Sequence, residues 1–238
     1  MINLLFPTTT EALPFVDMLD GAEPFEDTGM PGWRGRLSGR EVSVFVCGIG
    51  QVNAARTMTA IMERGGAGLT LLGGCAGAYA GSGLIVGDVA LATEEVYAGL
   101  GVDGPGGFLT LEDAGLPLVE VDGMRYFDMM PLPAAAGLDM PALSEAVPRV
   151  MRGRFLTVTT VTGTTGGGDA LFARYGALCE NMEGAAAAQV ALAYGAPFIE
   201  VRGISNMAAD RDRESWDIQL ASANSARVIA NIIGGFKG

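Results

Sequence analysis

The chain contains no histidine among its 238 residues. Histidine is the usual general acid or base near neutral pH, the central member of Ser-His-Asp triads and the commonest transition-metal ligand. Its absence excludes those chemistries here. Any catalysis must use carboxylates, amides, hydroxyls and backbone groups.

Positive charge is also scarce, with 15 Lys and Arg against 27 Asp and Glu and a net charge of −12. Such a surface does not suit nucleic acid or an anionic membrane. We expect a small substrate that is mostly uncharged or only locally anionic.

Long apolar runs are missing as well. No stretch reaches the roughly 18 uninterrupted apolar residues of a membrane span, and the N-terminus lacks the basic region of a signal peptide. The sequence therefore predicts a soluble, cytoplasmic protein.

Cysteine is rare and odd in number, at Cys47, Cys75 and Cys179. The three have no metal-ligand spacing and lie in apolar surroundings, so we expect buried free thiols and no metal. The loop Gly48–Asn53 imitates a dinucleotide-binding turn but lacks the third glycine. We therefore predict that no NAD or other cofactor is bound.

Strand and helix patterns alternate along the chain, which predicts a single-domain, three-layer α/β/α fold over residues 1–238 with a central mixed, mostly parallel sheet. The predicted strands are Ile2–Phe6, Val42–Cys47, Leu69–Gly74, Asp88–Glu95, Phe155–Val158 and Phe198–Ile204. The predicted helices are Glu11–Leu19, Asn53–Arg64 with Asn53 as its cap, Pro141–Val147, Asp169–Tyr175, Gly184–Tyr194 and Trp216–Ile233.

The segment between Tyr97 and Pro141 is rich in glycine and proline and shows no clear periodicity. It lacks the polar composition of a linker. We interpret it as a long excursion that covers substrate or contacts another subunit.

Two motifs near the C-terminus carry the strongest signal. Glu180-Asn181-Met182-Glu183-Gly184-Ala185 opens a helix of very small residues, and the strand Phe198–Ile204 ends in Ser205-Asn206. Together they resemble the purine nucleoside phosphorylase and methylthioadenosine/S-adenosylhomocysteine nucleosidase superfamily, which implies a nucleoside phosphorylase-like fold and often a homo-oligomer, dimer or larger. Within it, the chain is similar to the futalosine hydrolases.

The resemblance implies roles at the sugar. Glu11 matches a glutamate that activates the attacking water, and Glu183 matches one that binds the ribose hydroxyls, with Met182 packed on the sugar. The residues themselves leave simpler alternatives open. Glu11 also suits the first turn of a helix, where the helix dipole favours a carboxylate, and Glu183 could be a helix cap.

The resemblance also implies a base site. It places Val161, Thr162, Gly163 and Thr164 in the purine-binding loop, and Cys75, Ala76 and Gly77 as backbone near sugar and base, with Cys75 where a serine is common. Asn206, beside Ser205, matches an aspartate of adenine-specific relatives. A carboxamide can donate to N7 and to a 6-oxo oxygen, which points to hypoxanthine or guanine. An Asx turn at the strand end is the alternative for Asn206.

The loops after the first two strands contain no arginine that could hold phosphate, so hydrolysis is expected rather than phosphorolysis. The resemblance then implies cleavage of futalosine to hypoxanthine and dehypoxanthine futalosine, in an alternative menaquinone pathway. Its benzoate would need an aromatic wall and a cation, for which Phe108, Arg125, Tyr126 and Phe127 of the excursion, or a partner subunit, are candidates. The alternatives are a purine nucleoside phosphorylase, a broader nucleosidase acting on inosine or methylthioadenosine, and a non-catalytic nucleoside-binding protein.

Overall fold

A computed structural model describes residues 1–27, 29–65, 68–144 and 147–235. The strands are β1 Ile2–Phe6, β2 Asp20–Asp27, β3 Met30–Leu37, β4 Arg40–Val46, β5 Thr70–Ala78, β6 Val89–Ala98, β7 Gly101–Gly104, β8 Gly107–Thr110, β9 Val119–Val121, β10 Met124–Tyr126, β11 Met129–Pro131, β12 Val150–Val158, β13 Cys179–Asn181 and β14 Phe198–Met207. The α-helices are α1 Thr9–Val16, α2 Gln51–Glu63, α3 Met140–Ser144, α4 Thr165–Tyr175, α5 Gly184–Ala193 and α6 Ile218–Gly235.

The central sheet is mixed and partly closed on itself. Its parallel part runs β4-β1-β5-β14, and the antiparallel strands β3 and β2 extend it at one edge. Strand β14 also pairs with β6, β6 with β12, β12 with β13, and β13 with β5. The strands β5, β14, β6, β12 and β13 therefore form a closed ring of paired strands. Within it, β13 and β14 lie along opposite edges of β5.

Helices cover both faces of the sheet, as the apolar pattern of β1 requires. Leu4 and Phe6 face one core cluster, which also contains residues of α1 and α6. Leu5 faces the other cluster, which contains residues of α2 and α5. Because successive side chains of a strand point to opposite faces, one short apolar run serves two cores. The α/β fold with a central mixed sheet is confirmed.

The sequence missed the hairpin β2-β3. Strand β2 is exposed along most of its length, and β3 is exposed on one side. The excursion after Tyr97 is not irregular, because it forms the hairpins β7-β8 and β9-β10 and the strand β11, which joins the main sheet. The cap predicted at Asn53 is wrong. Helix α2 begins at Gln51 with Gly50 as its cap, and the Asn53 amide donates to the Ile49 carbonyl over 2.7 Å.

The predicted helix Pro141–Val147 corresponds to α3, and part of its predicted range lies outside the described residues. Helix α4 begins four residues earlier than predicted, since Thr164 caps it by accepting the Gly167 N–H. Within the described ranges, no helix is both long enough and apolar enough to cross a membrane.

Candidate active site

A cavity of about 520 Å³ lies where the parallel strands β1, β5 and β14 reach their carboxyl ends. Open α/β sheets bind ligands at this edge. The residues after β1, the end of β5, the strand β13 and the end of β14 all contribute to its walls. The loop residues Val161 and Thr162 close it on the side of β12.

Glu11 lies in the first turn of α1 and is 8% exposed. Its Oε2 accepts the Thr8 hydroxyl over 2.6 Å, and its Oε1 accepts the Cys75 backbone N–H over 2.8 Å. Burial raises the pKa of Glu11, although these two hydrogen bonds oppose the rise. A carboxylate with a raised pKa is a better proton acceptor, so Glu11 suits a general base.

Glu183 occupies the cap position of α5, but its side chain makes no capping bond. The side chain of Asn181 does the capping, because its Oδ1 accepts the N–H groups of Glu183 and Gly184 over 2.9 and 2.7 Å. The Glu183 carboxylate instead accepts the Gly50 N–H over 2.8 Å and lies 3.2 Å from Arg202 Nη2. It therefore keeps acceptor capacity for the hydroxyls of a ligand.

Arg202 is the central cation of the site and is 1% exposed. Its Nε donates to Glu200 over 2.8 Å, and its Nη2 faces Glu183. Burial alone would lower the pKa of Arg202, but the carboxylates of Glu200, Glu183 and Glu11 raise it overall. The guanidinium is therefore permanently charged and already neutralised by its neighbours.

Beneath α5 lies a second acidic pair, Glu95 and Glu200, and both side chains are fully buried. The Oε2 of Glu200 has no hydrogen-bond partner among the described residues. Burial and the charge of Glu200 raise the pKa of Glu95 well above the usual range. This rise favours the protonated form of Glu95, whose oxygens accept hydrogen bonds from Asn181 and Thr157.

Asn206 lies at the end of β14 and borders the cavity. Its Oδ1 accepts the Ser205 hydroxyl over 2.8 Å, and its Nδ2 donates to the Met207 carbonyl over 3.0 Å. These bonds orient the carboxamide and leave one N–H for a ligand, since an amide nitrogen carries two. Ser205 therefore positions Asn206.

Cys75 contributes its backbone more than its thiol. Its N–H donates to Glu11, and its Sγ lies 3.3 Å from Ser222 Oγ. Burial, followed by the charge of Glu11, raises the pKa of Cys75 to about 12. The thiol therefore stays neutral.

Comparison with known proteins identifies the family of this chain. A family model described as the phosphorylase superfamily matches residues 4–234. The chain belongs to the phosphorylase superfamily. It is 36% identical over 233 residues to a futalosine hydrolase of Thermus thermophilus, an alignment that covers 97% of this chain and 94% of that one. A futalosine hydrolase of Acidothermus cellulolyticus is 32% identical over 219 residues, or 90% of this chain and 83% of the relative.

The fold has close counterparts among solved structures. A methylthioadenosine/S-adenosylhomocysteine nucleosidase of Streptococcus pneumoniae, crystallised with 8-aminoadenine, superposes with a TM-score of 0.81. The superposition covers 99% of each chain at 22% sequence identity. It supports the nucleoside phosphorylase-like fold.

The structure brings most of the predicted site residues to this one cavity. Those that line it are Glu11, Cys75, Ala76, Gly77, Val161, Thr162, Met182, Glu183, Ser205 and Asn206. Gly163 and Thr164 do not line it, because the chain turns there into the cap of α4. The roles assigned to these residues stay predictions.

The residues predicted to bind the benzoate group lie outside this cavity. Phe108 packs under the Arg174 guanidinium, 4.4 Å from it, and Tyr126 packs against the core on the α5 face. Neither they nor Arg125 and Phe127 line this cavity within the described chain.

Sequence reasoning missed Arg202, Glu95, Glu200 and Glu180, which supply much of the charge in and under the cavity. The sequence did contain one signal for the ion pair. Glu200 and Arg202 are two residues apart in a strand whose neighbouring residues are apolar, and this spacing places both side chains on the same face of β14. Two opposite charges on one buried face indicate an ion pair.

Gly184→Ala should destabilise the protein by about 1–3 kcal/mol, because this position has no room for a methyl group. A Cβ there would overlap the carboxylate oxygens of Glu95 and Glu200. The matched control is Gly166→Ala in the first turn of α4, where a Cβ meets nothing within 4 Å. Urea unfolding should show a loss for the first variant and no loss for the second. Equal stabilities would contradict the close packing described here.

Proposed function

We propose that this protein is a cytoplasmic futalosine hydrolase of an alternative menaquinone pathway, which releases hypoxanthine from futalosine with water as the nucleophile. The observation that carries the proposal is that Glu11, Glu183 and Asn206 border one cavity, whose buried cation is already paired with carboxylates. The futalosine hydrolase of Thermus thermophilus, 36% identical along nearly the whole chain, supports it.

The sugar end of the cavity suits an oxocarbenium-like transition state. Breaking an N-glycosidic bond builds positive charge on the sugar, as in other glycoside hydrolyses. The single positive charge of Arg202 faces Glu11, Glu183 and Glu200, so this end carries a net negative charge. That charge stabilises the sugar cation as it forms.

Water rather than phosphate fits this environment. Among the described residues that line the cavity, two are cationic, namely Arg202 and Arg211. Arg202 is held by Glu183 and Glu200, and Arg211 is exposed at the rim. Phosphate beside the sugar would face Glu11 and Glu183 without a free cation, so phosphorolysis is disfavoured.

The reaction balances with the groups present. Glu183 holds the ribose hydroxyls while Glu11 accepts a proton from water. The water oxygen forms a bond to the anomeric carbon as the bond from that carbon to N9 of the base breaks. The electron pair leaves with the purine, and the Asn206 N–H stabilises the negative charge that develops on the base. Solvent carries the proton from Glu11 to the purine anion, which gives neutral hypoxanthine and restores the Glu11 carboxylate.

The rim of the cavity supplies what a benzoate group would need. Arg211 lies 5.1 Å above the ring of Trp216, and Trp216 and Ile218 both line the cavity. An aromatic ring with an adjacent guanidinium suits an aromatic carboxylate. We therefore assign the benzoate side of futalosine to this rim in place of the residues of the excursion.

A homo-oligomer, dimer or larger, remains part of the proposal. Ile49 borders the cavity and is 57% exposed, and Val52 one turn later is 82% exposed. An apolar surface beside a substrate site suits a partner copy that completes the wall.

The first test offers futalosine, inosine and methylthioadenosine in phosphate-free buffer and measures the free base. We expect hypoxanthine from futalosine without added phosphate. Glu11→Gln should lower kcat on futalosine by about 10²–10⁴-fold, because a carboxamide cannot accept the proton of water. Asp17→Asn, an exposed change at the end of the same helix, serves as the control. Intact turnover in Glu11→Gln would refute the role of Glu11, and cleavage of methylthioadenosine alone would refute the substrate.

Activity should be lost as the pH is lowered. The midpoint of this loss should lie at a higher pH than the pKa of an ordinary glutamate. Glu11 must be unprotonated to act, and burial raises its pKa above the usual 4.5. Activity is therefore present above the raised pKa and is lost as the pH falls through it. The measurement is kcat/KM for futalosine against pH, with circular dichroism to show that the protein stays folded. An acid limb centred at or below 4.5 would contradict this assignment.

Arg211→Gln should raise KM for futalosine by about two- to fivefold and leave inosine unaffected, since inosine has no carboxylate. The modest size reflects an exposed ion pair. Arg213→Gln is the matched control, because Arg213 is also exposed and lies outside the cavity. An equal change for both substrates would remove Arg211 from the benzoate site.

A further inference from the structure

Glu180 has no role in the mechanism above, yet it lines the cavity and is 5% exposed. It is the middle residue of β13. Its Oε1 accepts the Thr162 backbone N–H over 2.7 Å, and its Oε2 accepts the hydroxyls of Thr162 and Tyr79 over 2.6 and 2.9 Å. A carboxylate offers about four acceptor positions. Glu180 therefore retains one for a ligand.

The register of the sheet places Glu180 and Asn206 on either side of one glycine. Glu180 pairs with Gly77 across β13 and β5, and Asn206 pairs with Gly77 across β14 and β5. Neighbouring strands are about 4.8 Å apart, so the two Cα atoms are about 10 Å apart. Glu180 and Asn206 both line the cavity, so the two polar side chains face it together.

Gly77 keeps the space between them open. A Cβ at this position would lie 3.0 Å from Asn206 Nδ2. Without a side chain there, the edge of a flat base can lie across Gly77 and reach a donor on one side and an acceptor on the other.

That pair of groups distinguishes a 6-oxopurine from adenine. Along one edge hypoxanthine presents an N1–H donor, a 6-oxo acceptor and an N7 acceptor. Adenine has a lone pair on N1 and a 6-amino donor. The N–H of Asn206 suits N7 and the oxygen, and a carboxylate suits N1–H. The Thr162 backbone N–H, a donor that could serve adenine N1, already donates to Glu180.

We propose that Glu180 is a specificity-determining residue that accepts the N1–H of a 6-oxopurine and repels the N1 lone pair of adenine. The inference rests on the proposed function, because it places the base over Gly77. Glu180 would be a second residue that recognises the base, on the opposite side of Gly77 from Asn206.

The test measures the binding of hypoxanthine, 1-methylhypoxanthine and adenine to the intact protein by calorimetry. Methylation removes the N1–H and leaves the oxygen and N7 unchanged. The wild-type protein should bind hypoxanthine at least about tenfold more tightly than 1-methylhypoxanthine or adenine, the usual effect of a hydrogen bond to a charged group. Similar affinities for hypoxanthine and 1-methylhypoxanthine would overturn the proposal without any variant.

Glu180→Gln should then reduce the preference for hypoxanthine over adenine by at least about tenfold, because the amide can donate to N1. Tyr79→Phe is the matched control. It removes one partner of the same carboxylate and keeps the charge, so the preference should persist. If Glu180→Gln weakens all bases equally, Glu180 only anchors the loop at Thr162 and the proposal is wrong.

The two proposals fail separately. Selective binding of hypoxanthine without cleavage of futalosine would refute the hydrolase and leave the role of Glu180 intact. Cleavage of futalosine with equal binding of hypoxanthine and 1-methylhypoxanthine would refute the role of Glu180 alone.

Discussion

The buried guanidinium of Arg202 is the interaction on which the rest of the site depends. A charge removed from water is costly unless carboxylates and hydrogen bonds compensate it. Arg202 meets this condition through Glu200 and Glu183, while Glu11 lies close enough to raise its pKa further. The Arg202 side chain, which belongs to β14, therefore interacts with carboxylates of β14, of the start of α5 and of α1.

The carboxylates around Arg202 also show how a protein without histidine can carry out proton transfer. Burial and the charge of Glu200 raise the pKa of Glu95, which favours its neutral form and reduces the negative charge under α5. Glu200 is then free to neutralise Arg202. Glu11, held by Thr8 and the Cys75 N–H, borders the cavity and has a raised pKa. The negative charge that remains favours a sugar cation and disfavours phosphate, so this site favours hydrolysis over phosphorolysis.

Local sequence patterns predicted the strands and helices that consist of continuous apolar runs. Strand β1 and helix α5 were recognised with nearly their observed bounds, because a short apolar run and an alanine-rich run leave few alternatives. The hairpin β2-β3 was missed because β2 is exposed along most of its length and both strands contain proline and glycine. In the excursion, the dipeptide Pro105-Gly106 is typical of irregular loops, whereas here it forms the tight turn between β7 and β8.

For the site, motifs located Glu183 because it opens a recognisable alanine-rich helix, and Asn206 because it ends a recognisable apolar strand. The importance of Glu180 and Glu95 could not be seen in this way. It depends on which strands become neighbours, and the pairing of β13 with β5 joins segments about a hundred residues apart. Arg202 is intermediate, since its alternation with Glu200 on an apolar strand was visible in the sequence.

The most direct test of the central claim follows the oxygen of water. The protein would act on futalosine in phosphate-free buffer made with ¹⁸O-labelled water, and early products would be analysed by mass spectrometry. An unlabelled-sugar control would correct for chemical exchange. We predict one labelled oxygen on dehypoxanthine futalosine and unlabelled hypoxanthine. Turnover that requires phosphate and yields a sugar phosphate would contradict an acidic cavity that activates water.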